Sequence, residues 1–376
     1  MEKQKKFILG QYFTKKEIVD RLIQLIFFYK NEYGYEIKIL EPSAGTRNFV
    51  KSLKEEGFEN ISECEIDPEL AQKPSDFLLF PLKEKFDLII GNPPFTKYNV
   101  KESYYYPEKY LNKEVKPSEY IAKKLLKKEK TQIENAFILK SIQHLKDENS
   151  SIGFVLPISF FIKGKNTEIK KVLQKKFSTI IIYQNDKNWF EEPIPCCFAV
   201  FTNLDKYKDK VILLYEDGVS IEEILDKSQL MSQELIPKSY LYKKNKNNSG
   251  IPLSNFLLEG KAKYRRSFTE NNISGANITQ RIKVPENKEI ENYCLAVVRV
   301  GNSSVGKAGL INIKEDILND MFYVFQFKEI FNKNKEFKEK ITKIINENQQ
   351  HFRNSTIRVG SKSIKKDDLL EFGITV

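Results

Sequence analysis

The first 90 residues alternate short apolar runs with helical patterns, and this alternation constrains the fold more than any other feature of the sequence. Residues 37–40, 61–66 and 86–90 are apolar and are flanked by turn residues, which is typical of strands. Between the first two runs, apolar residues recur at helical spacing over residues 49–53. Strands joined by helical crossovers lie parallel in one sheet. The sequence therefore predicts an α/β fold with a doubly wound, mostly parallel sheet.

The same patterns continue on both sides of this region. A helix is predicted to begin at Thr14, which would serve as its N-cap, with Glu17 three residues later. Residues 97–130 are rich in lysine and tyrosine, and they are predicted to form a long surface excursion. Beyond it, the pattern predicts helices at residues 131–145 and 165–177 and strands at residues 152–156, 179–183, 197–201 and 211–215.

Chain length and one polar segment predict two domains. A chain of 376 residues is long for a single domain. Residues 237–250 are polar and rich in residues that break helices and strands, and irregular segments with short strands follow them. We therefore expect one domain over residues 1–236 and a second, mixed α+β domain over residues 237–376.

Composition excludes several classes of protein and favours one class of partner. Two histidines and four cysteines occur without the spacing of a zinc site or a Ser-His hydrolase, so we expect no metal. The cysteines form no disulfide framework, and neither a signal peptide nor a membrane-spanning run is present, so we expect a cytoplasmic protein. A net charge of +11 favours a polyanionic partner.

Acidic and small residues follow the predicted strands, at the edge where open parallel sheets bind ligands. The first strand ends in Glu41-Pro42-Ser43-Ala44-Gly45, whose small residues allow close approach of a ligand. The Gly-Lys-Ser/Thr ending of a phosphate loop is missing, and the acidic turn suits a cationic ligand. Glu65 follows 24 residues after Glu41, near the roughly 20-residue offset of acids that bind ribose hydroxyls. Asp76-Phe77 is suited to accept from an adenine amino group and to pack beside the purine.

The segment Asn92-Pro93-Pro94-Phe95 follows the third predicted strand and a glycine. Its two prolines fix φ and remove two backbone donors, which leaves a stiff segment with outward carbonyl acceptors. Asn92 adds a side-chain oxygen, and Phe95 adds a flat apolar face. Two acceptors and an aromatic ring match a planar amino group attached to a heterocycle, so the segment predicts a site that acts on such a group.

Together these motifs resemble the gamma-class, Taq-type S-adenosylmethionine-dependent adenine-N6 DNA methyltransferases of restriction-modification systems. Gly10-Gln11-Tyr12-Phe13-Thr14 is similar to their cofactor motif, and it precedes the Glu41 and Asn92 motifs in the order that defines the class. The resemblance covers roughly residues 8–215 and implies a Rossmann-like methyltransferase sheet. Arg47 stands where many relatives carry a second glycine, a departure that could narrow the cofactor turn. The resemblance implies S-adenosylmethionine as cofactor, with contacts from Phe13, Thr14, Glu41, Pro42, Ser43, Ala44, Gly45, Glu65, Ile66, Asp76 and Phe77.

The chemistry of an adenine amino group explains the Asn92 motif. Its nitrogen lone pair is delocalised into the ring, and hydrogen bonds to Asn92 Oδ1 and the Pro93 carbonyl would make that nitrogen more nucleophilic. In duplex DNA this nitrogen is unreachable, so the base is expected to flip out and stack on Phe95. In the family a later motif supplies the second aromatic, and Phe190 is the best match. The expected catalytic set is Asn92, Pro93, Pro94 and Phe95.

The second half is expected to recognise a target sequence in double-stranded DNA. Six of the eight arginines follow the linker, and arginine reads guanine edges and binds phosphates with two hydrogen bonds. Residues 298–306 and 358–364 are similar to the Gly/Ser loops of type I specificity subunits. The expected DNA contacts are Arg265, Arg266 and Arg299.

Two other functions stay open on the sequence alone. The first is methyl transfer to an RNA base or a protein glutamine, because the same motif serves those amino groups. Such enzymes usually carry an accessory domain before the cofactor motif, whereas only about ten residues precede it here. The second is a non-catalytic DNA-binding module. A nuclease domain does not fit in those ten residues, so we expect the cognate restriction endonuclease to be a separate protein. We also expect the chain to be a monomer.

Overall fold

The computed structural model describes residues 9–95, 97–99, 130–217, 219–244, 250–259, 273–356 and 362–375. The chain divides into two compact units, Met1–Pro237 and Lys238–Val376. Most of the predicted excursion after Phe95 lies outside the described residues, and so do Arg265 and Arg266.

The described part of the first unit is built on an eight-stranded mixed sheet with the order β10-β9-β7-β8-β6-β3-β1-β2. β8 is antiparallel to both of its neighbours and β10 is antiparallel to β9, while the other pairs are parallel. β4 pairs with β5 in a separate two-stranded sheet. The predicted mostly parallel sheet is therefore confirmed. The strands are β1 (Ile39–Glu41), β2 (Ile61–Glu63), β3 (Leu88–Gly91), β4 (Lys97–Asn99), β5 (Lys130–Gln132), β6 (Ser151–Pro157), β7 (Thr179–Asn185), β8 (Cys196–Thr202), β9 (Lys210–Asp217) and β10 (Val219–Asp226).

Both faces of this sheet are covered. Leu88 and Ile90 of β3 pack in one core with residues of the first two helices, whereas Ile89 between them points to the opposite face and is equally buried. Parallel strands buried on both faces read as continuous apolar runs, which is the pattern of the sequence. The helices of the first unit are α1 (Lys16–Tyr29), α2 (Asn48–Glu55), α3 (Ile133–His144), α4 (Thr167–Lys176) and α5 (Gln229–Ser232).

The beginning of α1 differs from the prediction. The helix begins at Lys16, its N-cap position is Lys15, and no side chain caps it. The prediction that Thr14 is the N-cap is therefore wrong. The backbone of this turn is tied to other elements instead, because Lys15 N donates to Trp189 O at 2.9 Å and Asn48 Nδ2 donates to Thr14 O at 2.8 Å. Thr14 is thus held one residue outside the helix turn that it was expected to cap.

The second unit combines a four-stranded antiparallel sheet, ordered β12-β15-β13-β14, with short helices, as its described residues show. Its core includes the fully buried Lys338, whose Nζ donates to the carbonyls of Ile290 and Tyr293 at 2.7 Å each. The remaining elements are α6 (Pro237–Lys244), β11 (Ile251–Pro252), β12 (Leu257–Glu259), β13 (Tyr293–Val298), β14 (Ala308–Asn312), β15 (Phe322–Phe327), α7 (Glu329–Asn332), α8 (Lys335–Glu347), α9 (Gln349–Ser355), α10 (Lys366–Leu370) and β16 (Gly373–Ile374).

In the part of the chain that the structure describes, no helix is both long enough and apolar enough to cross a bilayer.

Candidate active site

A pocket opens at the carboxyl ends of β1, β2 and β3 in the first unit. It contains about 810 Å³ of empty space, counted to include the open solvent at its mouth. The position of the pocket follows from the sheet topology, because parallel strands bring the three motifs that follow them to one edge of the sheet. The residues lining the pocket that the sequence had singled out are Phe13, Thr14, Pro42, Ser43, Ala44, Gly45, Glu65, Ile66, Asp76, Phe77, Asn92 and Pro94.

The turn after β1 brings backbone close to the pocket at Gly45. This residue has a φ of +52°, which L side chains rarely adopt, and a Cβ placed there would lie 2.9 Å from Cδ1 of Phe13. The next residue but one, Arg47, also has a positive φ, of 65°, so its backbone takes the conformation that a glycine favours. Its guanidinium pairs with Glu63 at 2.8 Å, and Arg47 is not among the lining residues. The Arg47 side chain therefore lies outside the pocket lining, and whether it narrows the turn stays a prediction.

Glu41 lies beneath the floor of the pocket, with 1% of its surface exposed. Its Oε1 accepts from Ser43 N at 3.1 Å, and its Oε2 is buried without a partner. The carboxylate packs directly on Gly91, where a Cβ would come within 2.1 Å of Oε1. Burial raises the pKa of Glu41 well above its usual range. Oε2 is therefore a buried acceptor without a donor among the described residues, and a cationic ligand group would satisfy it.

Glu65 forms the side of the pocket that follows β2. Its two oxygens accept from different backbone groups, Oε2 from Gly45 N at 2.6 Å and Oε1 from Asp67 N at 2.8 Å. Burial raises the pKa of Glu65, and these two N–H groups oppose the shift. A carboxylate oxygen accepts more than one hydrogen bond. The arrangement therefore fixes the carboxylate and leaves acceptor capacity for neighbouring hydroxyls of a ligand.

Asp76 stands at the N-cap of a short 3₁₀ helix, Phe77–Leu79, beyond Glu65. Its Oδ1 accepts from Leu78 N at 2.8 Å, and Oδ2 is buried without a partner. Burial raises the pKa of Asp76 to about 6. The ring of Phe77, also in the pocket lining, packs against Phe137 with centroids 5.1 Å apart. An acceptor beside an aromatic ring is suited to a purine that carries an amino group.

Several buried polar atoms around this pocket lack a hydrogen-bond partner among the described residues, and their chemistry can be compared with that of S-adenosylmethionine. Glu41 Oε2 suits the ammonium of the methionine end, and Asp76 Oδ2 suits the adenine amino group. The Thr14 hydroxyl is a third such group, left over because Thr14 does not cap α1. The donor and acceptor set fits this cofactor. Among the described residues, no three His, Cys, Asp or Glu side chains gather as a metal site would require.

Asn92, the first residue after β3, is held by hydrogen bonds on two sides. Asn92 Nδ2 donates to Tyr12 O at 2.5 Å, and Asn92 O accepts from Ser43 Oγ at 2.9 Å. Because the Tyr12 carbonyl can only accept, the NH₂ end of the amide must face it. Oδ1 then points away and is buried without a partner. A third bond, from Phe95 N to Gly10 O at 3.1 Å, fixes the end of the segment.

Three aromatic rings gather beside this segment. Phe95 lies 6.0 Å from Tyr12 and 6.0 Å from Phe190 between ring centroids, and the contact with Phe190 is edge-on at 85°. Phe190 is fully buried in this structure. Its neighbour Trp189 is buried as well, stacked on Tyr183, with Nε1 donating to Asn185 Oδ1 at 2.6 Å. The two predicted stacking rings are thus brought together, with one covering the edge of the other.

Sequence reasoning missed part of the pocket wall. Ile133 and Phe137 line it from one face of α3, at i and i+4 positions, and Tyr12 orients the Asn92 amide through its carbonyl. The Tyr12 role uses only backbone, so no residue type signals it. The α3 pair follows the third motif by about 40 residues of chain, and helical apolar spacing is their only signal. Glu41, Pro93, Phe95 and Phe190 do not line the pocket itself.

In the second unit, the two loops predicted to resemble specificity loops lie side by side where they are described. Val300 bridges Ser363, and Gly301 N donates to Lys362 O at 2.9 Å. Arg299 stands at the start of this pair, with Nε donating to Asp320 O at 2.6 Å and its guanidinium 5.8 Å from the ring centroid of Tyr323. The backbone, a neighbouring carbonyl and a ring therefore hold this arginine in place.

Comparison with known proteins shows similarity to one family over part of the chain. Residues 14–190 match the family model described as Eco57I restriction-modification methylase. The type II methyltransferase M.HincII of Haemophilus influenzae is 31% identical over 243 residues, 62% of this chain and 43% of that protein. The type II methyltransferase M.TthHB8I of Thermus thermophilus is 32% identical over 158 residues, 39% of this chain and 35% of that protein. The chain thus spans less than half the length of these curated relatives.

A solved structure adds evidence on the fold. The type IIG restriction endonuclease BpuSI aligns with 96% of this chain and 58% of its own, with a TM-score of 0.55 at 11% identity, which shows a shared fold. The family match falls on the segment that carries the Glu41, Glu65 and Asn92 motifs, and it confirms the resemblance drawn from them. Residues 14–190, just under half of the chain, are therefore similar to the Eco57I restriction-modification methylase family.

Proposed function

We propose that this chain is the modification enzyme of a restriction-modification system and methylates the N6 amino group of a specific adenine in double-stranded DNA. The proposal depends above all on Asn92, whose amide is fixed by Tyr12 while its Oδ1 is left without a partner. Curated relatives named as type II methyltransferases support it.

The pocket beside Asn92 is proposed to hold S-adenosylmethionine, which supplies an electrophilic methyl group when bound. Glu41 and the turn through Gly45 would hold the methionine end, with Phe13 and Thr14 beside it. Glu65 would accept from the ribose hydroxyls, and Asp76 from the adenine amino group. Ile66 and Phe77 would pack on the nucleoside, as pocket-lining residues are placed to do.

Asn92 Oδ1 and the Pro93 carbonyl are proposed to accept the two hydrogens of the target amino group. These hydrogen bonds would favour a tetrahedral, more nucleophilic nitrogen. Pro93 and Pro94 keep the carbonyls in place because φ is fixed at both residues. The bonds from Ser43, Tyr12 and Gly10 hold the segment from outside, so little reorganisation is needed when a base arrives.

The target adenine is proposed to flip out of the duplex and stack on Phe95. Phe190 meets Phe95 edge to face, and we propose that it contacts the second side of the base once that contact opens. A flipped base that enters here meets the Asn92 oxygen and an aromatic ring together.

Residues 237–376 are proposed to form the target-recognition domain, with residues 1–236 as the catalytic domain. Arg299 is the best-supported DNA contact, because its Nε is anchored and its two terminal amino groups have no partner among the described residues. Such a pre-oriented fork suits a guanine edge or a phosphate. Arg265 and Arg266, expected from the sequence to bind DNA, lie outside the described residues.

One experiment tests the proposed function directly. The purified chain is incubated with S-adenosylmethionine carrying an isotope-labelled methyl group and with double-stranded DNA, RNA or protein, and the products are analysed by nucleoside mass spectrometry. The expected product is N6-methyladenine in DNA, at one sequence context that sequencing of the DNA reveals. Label in RNA or in protein glutamine, or label in cytosine, would contradict the proposal.

A further inference from the structure

Ser43 occupies a position between the proposed cofactor site and the proposed catalytic amide. Its backbone N donates to Glu41 Oε1 at 3.1 Å, and its Oγ donates to Asn92 O at 2.9 Å. A serine hydroxyl has one hydrogen to donate, and here that hydrogen is used on Asn92. Ser43 lines the pocket, and its hydroxyl is directed at the segment that follows β3.

Ser43 is distinctive among the contacts that hold this segment. Tyr12 and Gly10 act through their carbonyls, which no side-chain substitution removes. Ser43 acts through its side chain, so its contribution can be deleted while the other two bonds remain. All three residues also line the pocket. The wall of the pocket is thus also the support of the catalytic segment.

A continuous path of contacts connects the floor of the pocket with the Asn92 amide. Glu41 packs on Gly91, the residue directly before Asn92, and Glu41 Oε1 accepts from Ser43. Ser43 then holds the Asn92 carbonyl, and the Asn92 side chain is held by Tyr12. A ligand group that binds Glu41 Oε2 would therefore contact the first residue of this path.

We propose that Ser43 is a positioning residue, which holds the Asn92 carbonyl so that Asn92 Oδ1 keeps its orientation toward the target amino group. This inference rests on the proposed function. Ser43 touches no reacting atom in this role and acts through Asn92. Loss of its hydroxyl leaves the Asn92 carbonyl without its donor, and the following residue, Pro93, stays fixed in φ but no longer anchored at its start.

The consequence is a separation between turnover and cofactor affinity. The backbone of residue 43 still lines the pocket in a Ser43→Ala variant, so the cofactor loses no direct hydrogen bond. The Asn92 amide, in contrast, would sample orientations in which Oδ1 does not meet the base. The kcat for methyl transfer is therefore expected to fall about tenfold, the size expected for one lost hydrogen bond, at nearly constant cofactor Kd.

The test compares Ser43→Ala with Ser52→Ala, which likewise removes a hydroxyl that donates a hydrogen bond, in this case a buried one that donates to Asp20 Oδ1 on α1. The kcat is measured by incorporation of labelled methyl groups into DNA. The Kd for S-adenosylhomocysteine is measured by calorimetry, which needs no turnover and also shows that each variant is folded. The expected result is an S43A kcat about tenfold below that of S52A, with Kd values within about threefold of each other.

Three outcomes bear on the inference. A kcat that is the same in S43A and S52A overturns it. A kcat and an affinity that fall together in S43A also overturn it, because Ser43 would then only support the pocket. Absence of methyl transfer by the unsubstituted chain contradicts the proposed function itself, whereas transfer that is indifferent to S43A contradicts the role of Ser43 alone.

Discussion

The turns after β1 and β3 lie side by side in the first unit and differ in their backbone conformation. The turn after β1 uses Gly45, with a positive φ, to bring its backbone close to the pocket. The turn after β3 uses Pro93 and Pro94, which restrict φ and present carbonyls. The first turn therefore makes room for a ligand, whereas the second fixes acceptors for a reaction. Affinity should depend on the first turn and turnover on the second.

The largest effect is expected from Asn92→Ala, in the turn after β3. It removes the Oδ1 acceptor but no pocket contact of the backbone, so kcat should fall by about 10²–10³-fold while the Kd for S-adenosylhomocysteine changes little. Label incorporation into DNA and calorimetry measure the two quantities. Unchanged turnover would show that Asn92 is not the acceptor, and weakened cofactor binding of similar size would erase the distinction between the turns.

Gly45→Ala tests the turn after β1. The added Cβ would meet the Phe13 ring at 2.9 Å and would hold a φ of +52°, so cofactor affinity should fall by about tenfold and the free energy of unfolding by about 1–2 kcal/mol. Gly164→Ala is the matched control, because its φ is +76° and no atom lies within 4 Å of the added Cβ. Equal losses of affinity in the two variants would mean that backbone strain, not the pocket, is responsible.

Asp76→Asn should weaken cofactor binding several-fold at neutral pH, since the ionised carboxyl is the stronger acceptor. Burial raises the pKa of Asp76 to about 6, from an unfolded value of 3.8. The protonated acid is therefore favoured by the fold, and its contribution to stability is present below pH 3.8 and is lost as the pH rises through 6. At pH 8 the variant is expected to unfold about 1–2 kcal/mol less readily than the unsubstituted chain.

The pH dependence separates Asp76 from the other acids of the pocket. The ratio of the two cofactor Kd values, variant over unsubstituted chain, should approach one as the pH falls below about 6. Asp76 is then protonated and, like the amide of the variant, is a neutral acceptor. Calorimetry between pH 5 and pH 8 measures this ratio. A ratio that is constant over the range would exclude Asp76 as the titrating acceptor.

The smallest effect is expected from Arg47→Gly. It relieves the positive φ of 65°, a gain of about 1–2 kcal/mol, but removes an exposed ion pair with Glu63 worth about 1 kcal/mol or less and adds glycine backbone freedom that costs about 0.5–1 kcal/mol, so the free energy of unfolding should change little. Cofactor affinity should stay the same, because the guanidinium is directed away from the pocket lining. Tighter binding by the variant would revive the view that Arg47 narrows the turn.

The fold and the location of the pocket follow closely from the sequence because their signals are local. Apolar runs predicted β1 and β3, and the acids after them had to meet at one edge once the strands were parallel. Thr14 shows where local rules fail. Its spacing to Glu17 matches a capping box, but long-range bonds to Trp189 and Asn48 place the helix start two residues later.

The support of the catalytic segment could not be predicted for a different physical reason. Its hydrogen bonds join residues about 50 to 85 positions apart, and all three have a backbone carbonyl as acceptor, which every residue type possesses. Ser43 looked like a small residue in a tight turn, and only the structure shows that its hydroxyl is committed to Asn92. The burial of Phe190 likewise depends on packing between distant elements, which residue type alone does not specify.

The placement of Trp189 has a practical consequence. It is the sole tryptophan of the chain, it is buried next to Phe190, and its carbonyl holds the residue before α1. Its ultraviolet emission therefore originates from a single place, at the junction of the aromatic cluster and the segment that lines the pocket. Stopped-flow fluorescence of the unlabelled chain can thus time the arrival of a ligand and any opening of the Phe95–Phe190 contact as separate phases.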